Sequence, residues 1–112
     1  MIDIINVNKE MLYSLGTTTP NSKAIKYNDE LVGIIDFFVK GSMIKIMYIN
    51  INEKYRRQGI AGKVINMLKT NHKGKYMYGD AVPNALKFWE SMGAIFDEDP
   101  EEDYLTPFHI EC

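Results

Sequence analysis

The sequence predicts an α/β (α+β) domain built on a mixed, mainly antiparallel central sheet with helices on its faces. Three observations predict it. β-Branched runs in the first half are joined by turns of two to three residues, the pattern of an antiparallel meander. After residue 52 the apolar spacing changes from strand-like to helical. The second half then alternates strand and helix, an order whose parallel step calls for a right-handed crossover. At 112 residues the chain is read as a single domain over 1–112.

The elements follow in order. Ile2 to Val7 reads as a short strand, and Asn8 caps a short helix from Lys9 to Leu15 that Gly16 ends. Thr17 to Asn21 is turn chemistry around Pro20. Ser22 to Tyr27, Leu31 to Val39 and Met43 to Ile51 are strands, separated by turns at Asn28-Asp29-Glu30 and Lys40-Gly41-Ser42. Ile60, Val64, Met67 and Leu68 share one face of a helix that runs to about Thr70 and stops at Asn71 to Gly74. Lys75 to Asp80 is a strand. Pro83-Asn84 opens a second helix with Ala85, Phe88, Trp89 and Met92 on one stripe, and Gly93 closes it. Ala94 to Phe96 and Leu105 to Ile110 are the last strands, with an acidic loop between them.

Composition narrows the function. Apolar residues make up 46% and charged residues 25%, as in ordinary globular domains. No apolar run reaches the ~18 residues of a membrane span, and the start carries Asp3 without a basic flank, so neither membrane nor export is expected. The single cysteine, Cys112, has no internal partner, which makes a reducing cytoplasm the simplest expectation. Two histidines and one cysteine, far apart, give no metal spacing. The net charge of −2 hides an asymmetry: residues 97–103 hold six of the fifteen acids, and the remainder is basic, with Arg56, Arg57 and Lys63 close together. A cationic spot on a mildly acidic chain suits a small anion better than a nucleic acid, whose binders spread their bases over a face.

The stretch from Ile49 through Asn50 and Ile51 to Lys63 carries the chemistry. A strand ends, a polar loop turns, and a helix starts among small residues, Gly59, Ala61 and Gly62. The first N–H groups of a helix lack internal partners and the helix dipole adds positive potential, so such a start cradles phosphate. Arg56, Arg57, Gln58 and Lys63 add donors around Ile60. Glycines at a helix start also serve merely to let a loop turn; the preceding strand, the paired arginines and the amphipathic helix favour the ligand. No Gly-Lys-Ser/Thr follows, which excludes a P-loop, and the glycines do not fall as G-x-G-x-x-G.

Arg56-x-x-Gly59-x-Ala61, after an apolar strand and Tyr55, resembles the Q/R-x-x-G-x-G/A signature of the GNAT superfamily of acyl-CoA-dependent N-acyltransferases. Ala85-Leu86-Lys87-Phe88-Trp89-Glu90-Ser91-Met92-Gly93-Ala94 resembles that family's second coenzyme-side motif, A-x-x-F-Y-E-K-x-G-F. The resemblance spans roughly residues 22–110. It implies acetyl-CoA as cosubstrate and no metal. Its pyrophosphate would lie on the loop and helix start, its pantetheine arm along Ile49 to Ile51, with Phe88 and Trp89 beside it. It implies a primary amine as acceptor, a small molecule or a protein lysine. Two family positions depart from the pattern. Trp89 stands where a tyrosine often protonates the leaving thiolate, and Lys45 falls near the position of a strand glutamate that serves some members as base. The short N-terminal third implies an open acceptor side, which a homodimer would complete.

With those positions changed, catalysis is expected to rest on proximity, on a backbone N–H near Ile51 that polarises the carbonyl, and on water held by Tyr48, Asn50 or Asp36. Tyr78 or Tyr104 would assist the leaving thiolate. Transfer is expected to be direct, without an acyl-Cys112 step. Plainer readings stand beside these: Trp89 as core, Asp36 as a solvent-side alternation, Asp80 as a turn or cap residue, and the acidic loop as a solvated surface. A coenzyme-binding regulatory module with the same fold is the alternative function. A KH-type RNA-binding loop at Gly59 to Gly62 fits less well, because a strand and not a helix precedes it.

Overall fold

The computed structural model describes residues 1–6 and 22–112, so Val7, the expected helix from Lys9 to Leu15 and the turn at Thr17 to Asn21 lie outside the described residues. Seven strands form one sheet: β1 (Ile2–Asn6), β2 (Ser22–Tyr27), β3 (Glu30–Lys40), β4 (Met43–Ile51), β5 (Tyr76–Ala81), β6 (Ile95–Phe96) and β7 (Thr106–Glu111). Among the described residues two α-helices accompany them: α1 (Ile60–Asn71) and α2 (Leu86–Ser91), the latter entered through a 3₁₀ turn at Pro83–Ala85. The sheet order is β1-β2-β3-β4-β5-β7-β6.

β1 to β4 form the expected antiparallel meander. The β2–β3 hairpin turns on Asn28 and Asp29, both at positive φ (51° and 67°), the backbone demanded by the tightest hairpin turns and best tolerated by Asn and Asp. β4 and β5 are parallel, joined through α1 as expected. The second helical connection differs from a simple alternation. After α2 and the two-residue β6, the acidic loop reverses the chain, and β7 enters antiparallel between β5 and β6.

Residues directly opposed across strands share a face. One face carries Ile25, Ile35, Phe37, Ile44, Ile46, Met77, Phe108 and Ile110, and it packs with both helices in a single core. α1 contributes Ile60, Val64, Ile65 and Leu68; Ile65 takes the buried place expected of Met67, which is half-buried. α2 contributes Trp89, stacked on Phe108 with centroids 4.4 Å apart and meeting Phe88 edge-on at 5.0 Å. A Schellman end fixes α2: Gly93, at φ 92°, donates to the Glu90 carbonyl at 3.0 Å, and Ala94 donates to that of Trp89 at 3.0 Å. Lys69 Nζ donates to the Met92 carbonyl at 2.9 Å and ties the end of α1 to the end of α2. The opposite face carries an aromatic and charged cross-strand row, Phe38, Lys45, Tyr78 and His109, and, toward β2, the buried Ala24 and Ile34.

Phe108 is 1% exposed and holds Trp89 against β5 and β7. Phe108→Ala is expected to lower unfolding free energy by about 3–5 kcal/mol through cavity formation. Urea denaturation checks it: the midpoint falls while the slope is unchanged.

Candidate active site

The site begins with one extra residue in β4. Asp36 pairs with Tyr48, but the next residue, Phe37, pairs with Ile46, so Met47 is bulged out of the ladder. The side-chain phase slips with it: Ile44 and Ile46 face the helices before the bulge, Ile49 and Ile51 after it. Strand β4 bends, and its pairing with β5 ends at Ile46 opposite Gly79. Gly79 marks the last close approach, since a Cβ there would lie 2.9 Å from the Ile46 carbonyl oxygen and 3.2 Å from the Phe108 ring. Beyond it the two strands part.

The parting leaves main-chain groups without ladder partners. Asn52 N–H donates to the Val32 carbonyl at 2.8 Å. In an antiparallel ladder, residues alternate between groups aimed at the partner and groups aimed away. Asn52, Asn50 and Tyr48 are therefore bound to β3, while the N–H and C=O of Ile49 and Ile51 point into the gap. Gly33 permits the narrow pairing on the other side; a Cβ there would lie 2.3 Å from the Asn50 carbonyl oxygen.

Arg56 closes the lower end of the gap. Its Nε donates to the Ile51 carbonyl at 2.9 Å and its Nη2 to Asn50 Oδ1 at 3.2 Å. That carbonyl is thereby taken, and the Ile49 groups and the Ile51 N–H remain. The chain then makes a 3₁₀ turn at Glu53–Tyr55 and enters α1 through two left-handed residues, Arg57 (φ 68°) and Gly59 (φ 71°). α1 has no side-chain cap and no acid in its first turn. Its first N–H groups thus keep their positive potential. A Cβ on Gly59 would meet nothing within 4 Å, so glycine answers the backbone angle and leaves the space in front open.

Two clefts follow this path. The larger, about 540 Å³, lies in the gap between Met47–Ile51, Asp80 and the start of α2. The smaller, about 270 Å³, lies over the start of α1, and both share Ile51, Arg56, Ala61 and Phe88. Together they make one groove from the uncapped helix to the parted strands.

A family model for the acetyltransferase (GNAT) domain matches residues 6–108. The chain belongs to the GNAT acetyltransferase family. No curated protein matches its sequence. Solved structures share its fold. A GNAT family acetyltransferase from Elizabethkingia anophelis with acetyl-CoA bound superimposes with a TM-score of 0.67 at 16% identity, over 100% of this chain and 97% of that one. Arabidopsis thaliana Naa50, in complex with a bisubstrate analogue, gives 0.71 at 17% identity over 99% of each chain. The Bacillus subtilis N-acetyltransferase YlbP in complex with coenzyme A gives 0.72 at 11% identity, over 100% of this chain and 96% of that one.

Within this GNAT fold the residues expected from the sequence divide. Ile49, Asn50, Ile51, Arg56, Ala61, Phe88 and Trp89 line the larger cleft, with Tyr48 among them; Arg57, Gly59, Ile60 and Gly62 line the smaller. Gly62 also faces Met92, which caps the end of α2 and whose Cε would lie 3.4 Å from a Cβ there. Lys63 and Gln58 line neither cleft. Lys63 turns outward, its Nζ 3.2 Å from Tyr27 Oη and 4.9 Å from that ring's centre. Tyr104, 66% exposed in the acidic loop, lies outside both clefts. Asp36 is buried beside Tyr48 and does not line them; its Oδ1 has no hydrogen-bond partner among the described residues. Tyr78 is half-buried on the opposite face, its ring 5.6 Å from Lys45 Nζ. Met47, Asp80, Val82 and Asn84 line the cleft without having been singled out as site residues. The slip in phase from Ile44/Ile46 to Ile49/Ile51 is the sequence signal that could have found Met47.

Among the described residues no group of three or more His, Cys, Asp or Glu side chains is placed to hold a metal, and no helix is long and apolar enough to cross a membrane. Tyr55, beside the cradle, donates to Glu30 Oε2 at 2.8 Å. That bond, with lesser desolvation and the Glu30 charge, pushes the phenol pKa above its ordinary value. Removing the carboxylate removes the leading cause, so Glu30→Gln is expected to shift the Tyr55 titration downward. Absorbance of phenolate against pH, with Tyr55→Phe to assign the signal, checks the sign.

Proposed function

We propose that this GNAT protein transfers an acetyl group from acetyl-CoA to a primary amine, by direct attack in a ternary complex. The observation that carries the proposal is the parting of β4 from β5, with the groups of Ile49 and Ile51 aimed into the gap. That gap opens onto an uncapped helix start. The fit to the coenzyme is chemical. An amide-bearing arm can replace the missing ladder partner, and a diphosphate suits the free N–H groups of α1, with Arg57 alongside. When bound, acetyl-CoA supplies an activated thioester.

The chain's own residues do the rest. Arg56 fixes the end of β4 by holding the Ile51 carbonyl, so the free N–H groups stay aimed at one place. The N–H groups of Ile49 and Ile51 are preorganised donors for a carbonyl oxygen that gains negative charge. Phe88 and Trp89 wall the gap against water. Tyr48 and Asn50 face the side away from the helices, where the amine approaches. Holding both reactants in line lowers the barrier by up to ~7–11 kcal/mol. The acceptor is read as a small amine or a protein lysine.

Cys112 stands apart from this chemistry. It follows β7 at the Tyr76 end of β5, its N–H donating to the Lys75 carbonyl at 2.9 Å, while the gap opens at the other end of that strand. Burial pushes its thiol pKa up, with Lys69 opposing, so it stays protonated at neutral pH. Cys112→Ser is expected to leave steady-state turnover unchanged; loss of activity would point to a covalent route.

Thermal-shift titration tests the reading itself. Acetyl-CoA at a hundredfold excess over Kd is expected to stabilise the fold by about 2.7 kcal/mol, a rise on the order of 10 °C. ATP and NAD should give no comparable rise. Gly59→Glu places a carboxylate at the cradle and is expected to abolish the shift while the protein still unfolds cooperatively. Thiol release on adding amines separates an enzyme from a regulatory coenzyme binder, and a shift with RNA alone would sink the proposal.

A further inference from the structure

Resting on the proposed acetyl transfer, we infer that Asp80 is the catalytic residue that takes the proton from the attacking amine. Asp80 lies one residue past Gly79, where β5 leaves β4. It opposes Pro107 and alternates with the inward Gly79 and Ala81, so its side chain is on the face away from the helices. Tyr48 and Asn50, opposed to Asp36 and Ile34, are on that same face across the gap. All three line the larger cleft, and Asp80 is the carboxylate among the described residues that line it. Its side chain is exposed and has no hydrogen bond or ion pair among the described residues.

The neighbouring groups leave Asp80 available. Arg56, the cation of the cleft, is committed to Ile51 and Asn50. From β4 the same face presents Lys45, held over Tyr78; from β5, Tyr78 itself. From β7 it presents His109, which is bound to Asp97 at 2.7 Å. Asp36 is 6% exposed and off the cleft. In the step, the amine nitrogen forms a bond to the carbonyl carbon and the carbon–sulfur bond breaks, the electron pair leaving with sulfur. The proton shed by nitrogen passes to the Asp80 carboxylate, directly or through one water, and from there to solvent.

The test compares wild type, Asp80→Asn and Asp80→Glu with acetyl-CoA and three acceptors: spermidine, lysine methyl ester and the peptide Met-Val-Asn-Ala-Leu. Asp80→Asn is expected to lower kcat at neutral pH by about 10²-fold or more. Its kcat should then climb about tenfold per pH unit where the wild type is flat, since bulk base must remove the proton. Acceptor KM should change little, Asp80→Glu should recover part of kcat, and the thermal shift given by CoA alone should match wild type in both variants. An unchanged kcat and pH profile in Asp80→Asn overturns the inference, as does a loss confined to KM, and both leave coenzyme binding standing. A wild-type protein that CoA does not stabilise overturns the inference and the proposed function together.

Discussion

A single unpaired residue, Met47, governs the molecule's use of its sheet. By lengthening β4 relative to β3 it turns the strand away from β5 after Ile46. The Ile49 groups and the Ile51 N–H are then left aimed at open space, the Ile51 carbonyl being held by Arg56. Buried, such groups would each carry a desolvation penalty of roughly 1–3 kcal/mol. Here they face a cleft, where water or a ligand satisfies them. A ligand with amides of its own exchanges with that water at small net expense, which is why a broken ladder makes a selective site.

The gap persists because its rims are stiff. Gly33 lets β3 close tightly on β4, Arg56 pins the strand's end, and the stack of Trp89 on Phe108 keeps α2 against β5 and β7. α1 and α2 lie on one face and are joined by Lys69 and by the contact of Met92 at Gly62. The uncapped start of α1 is thus set at the mouth of the gap by ordinary core packing. The opposite face carries Tyr48, Asn50, Lys45, Tyr78 and His109. A transferase needs two approaches to one point, and a sheet opened between neighbouring strands offers one from each face.

Local chemistry makes much of this legible in the sequence. β-Branched runs with short polar turns define the meander within a residue or two, because hairpin register is a local property. The run from Tyr55 to Gly62 announced a helix start among small residues, and Gly93 announced the end of α2. The places that were not legible are those where strands meet at a distance. Asp80 looks like a strand-end acid until β5 is seen to leave β4 beside it. Lys63 looks like a phosphate ligand until Tyr27, thirty-six residues away, draws it outward. Tyr104 has the chemistry of an acid, yet the acidic loop carries it away from the groove.

The sequence by itself therefore determined the described elements, their order and the loop of small and basic residues that opens α1, since these follow from periodicity, turn chemistry and charge along the chain. Tertiary structure alone decided which backbone groups lack ladder partners, which face of the sheet packs on α1 and α2 and which carboxylate reaches the cleft. Those depend on pairing between residues far apart in the chain, and a bulge of one residue is enough to reassign them.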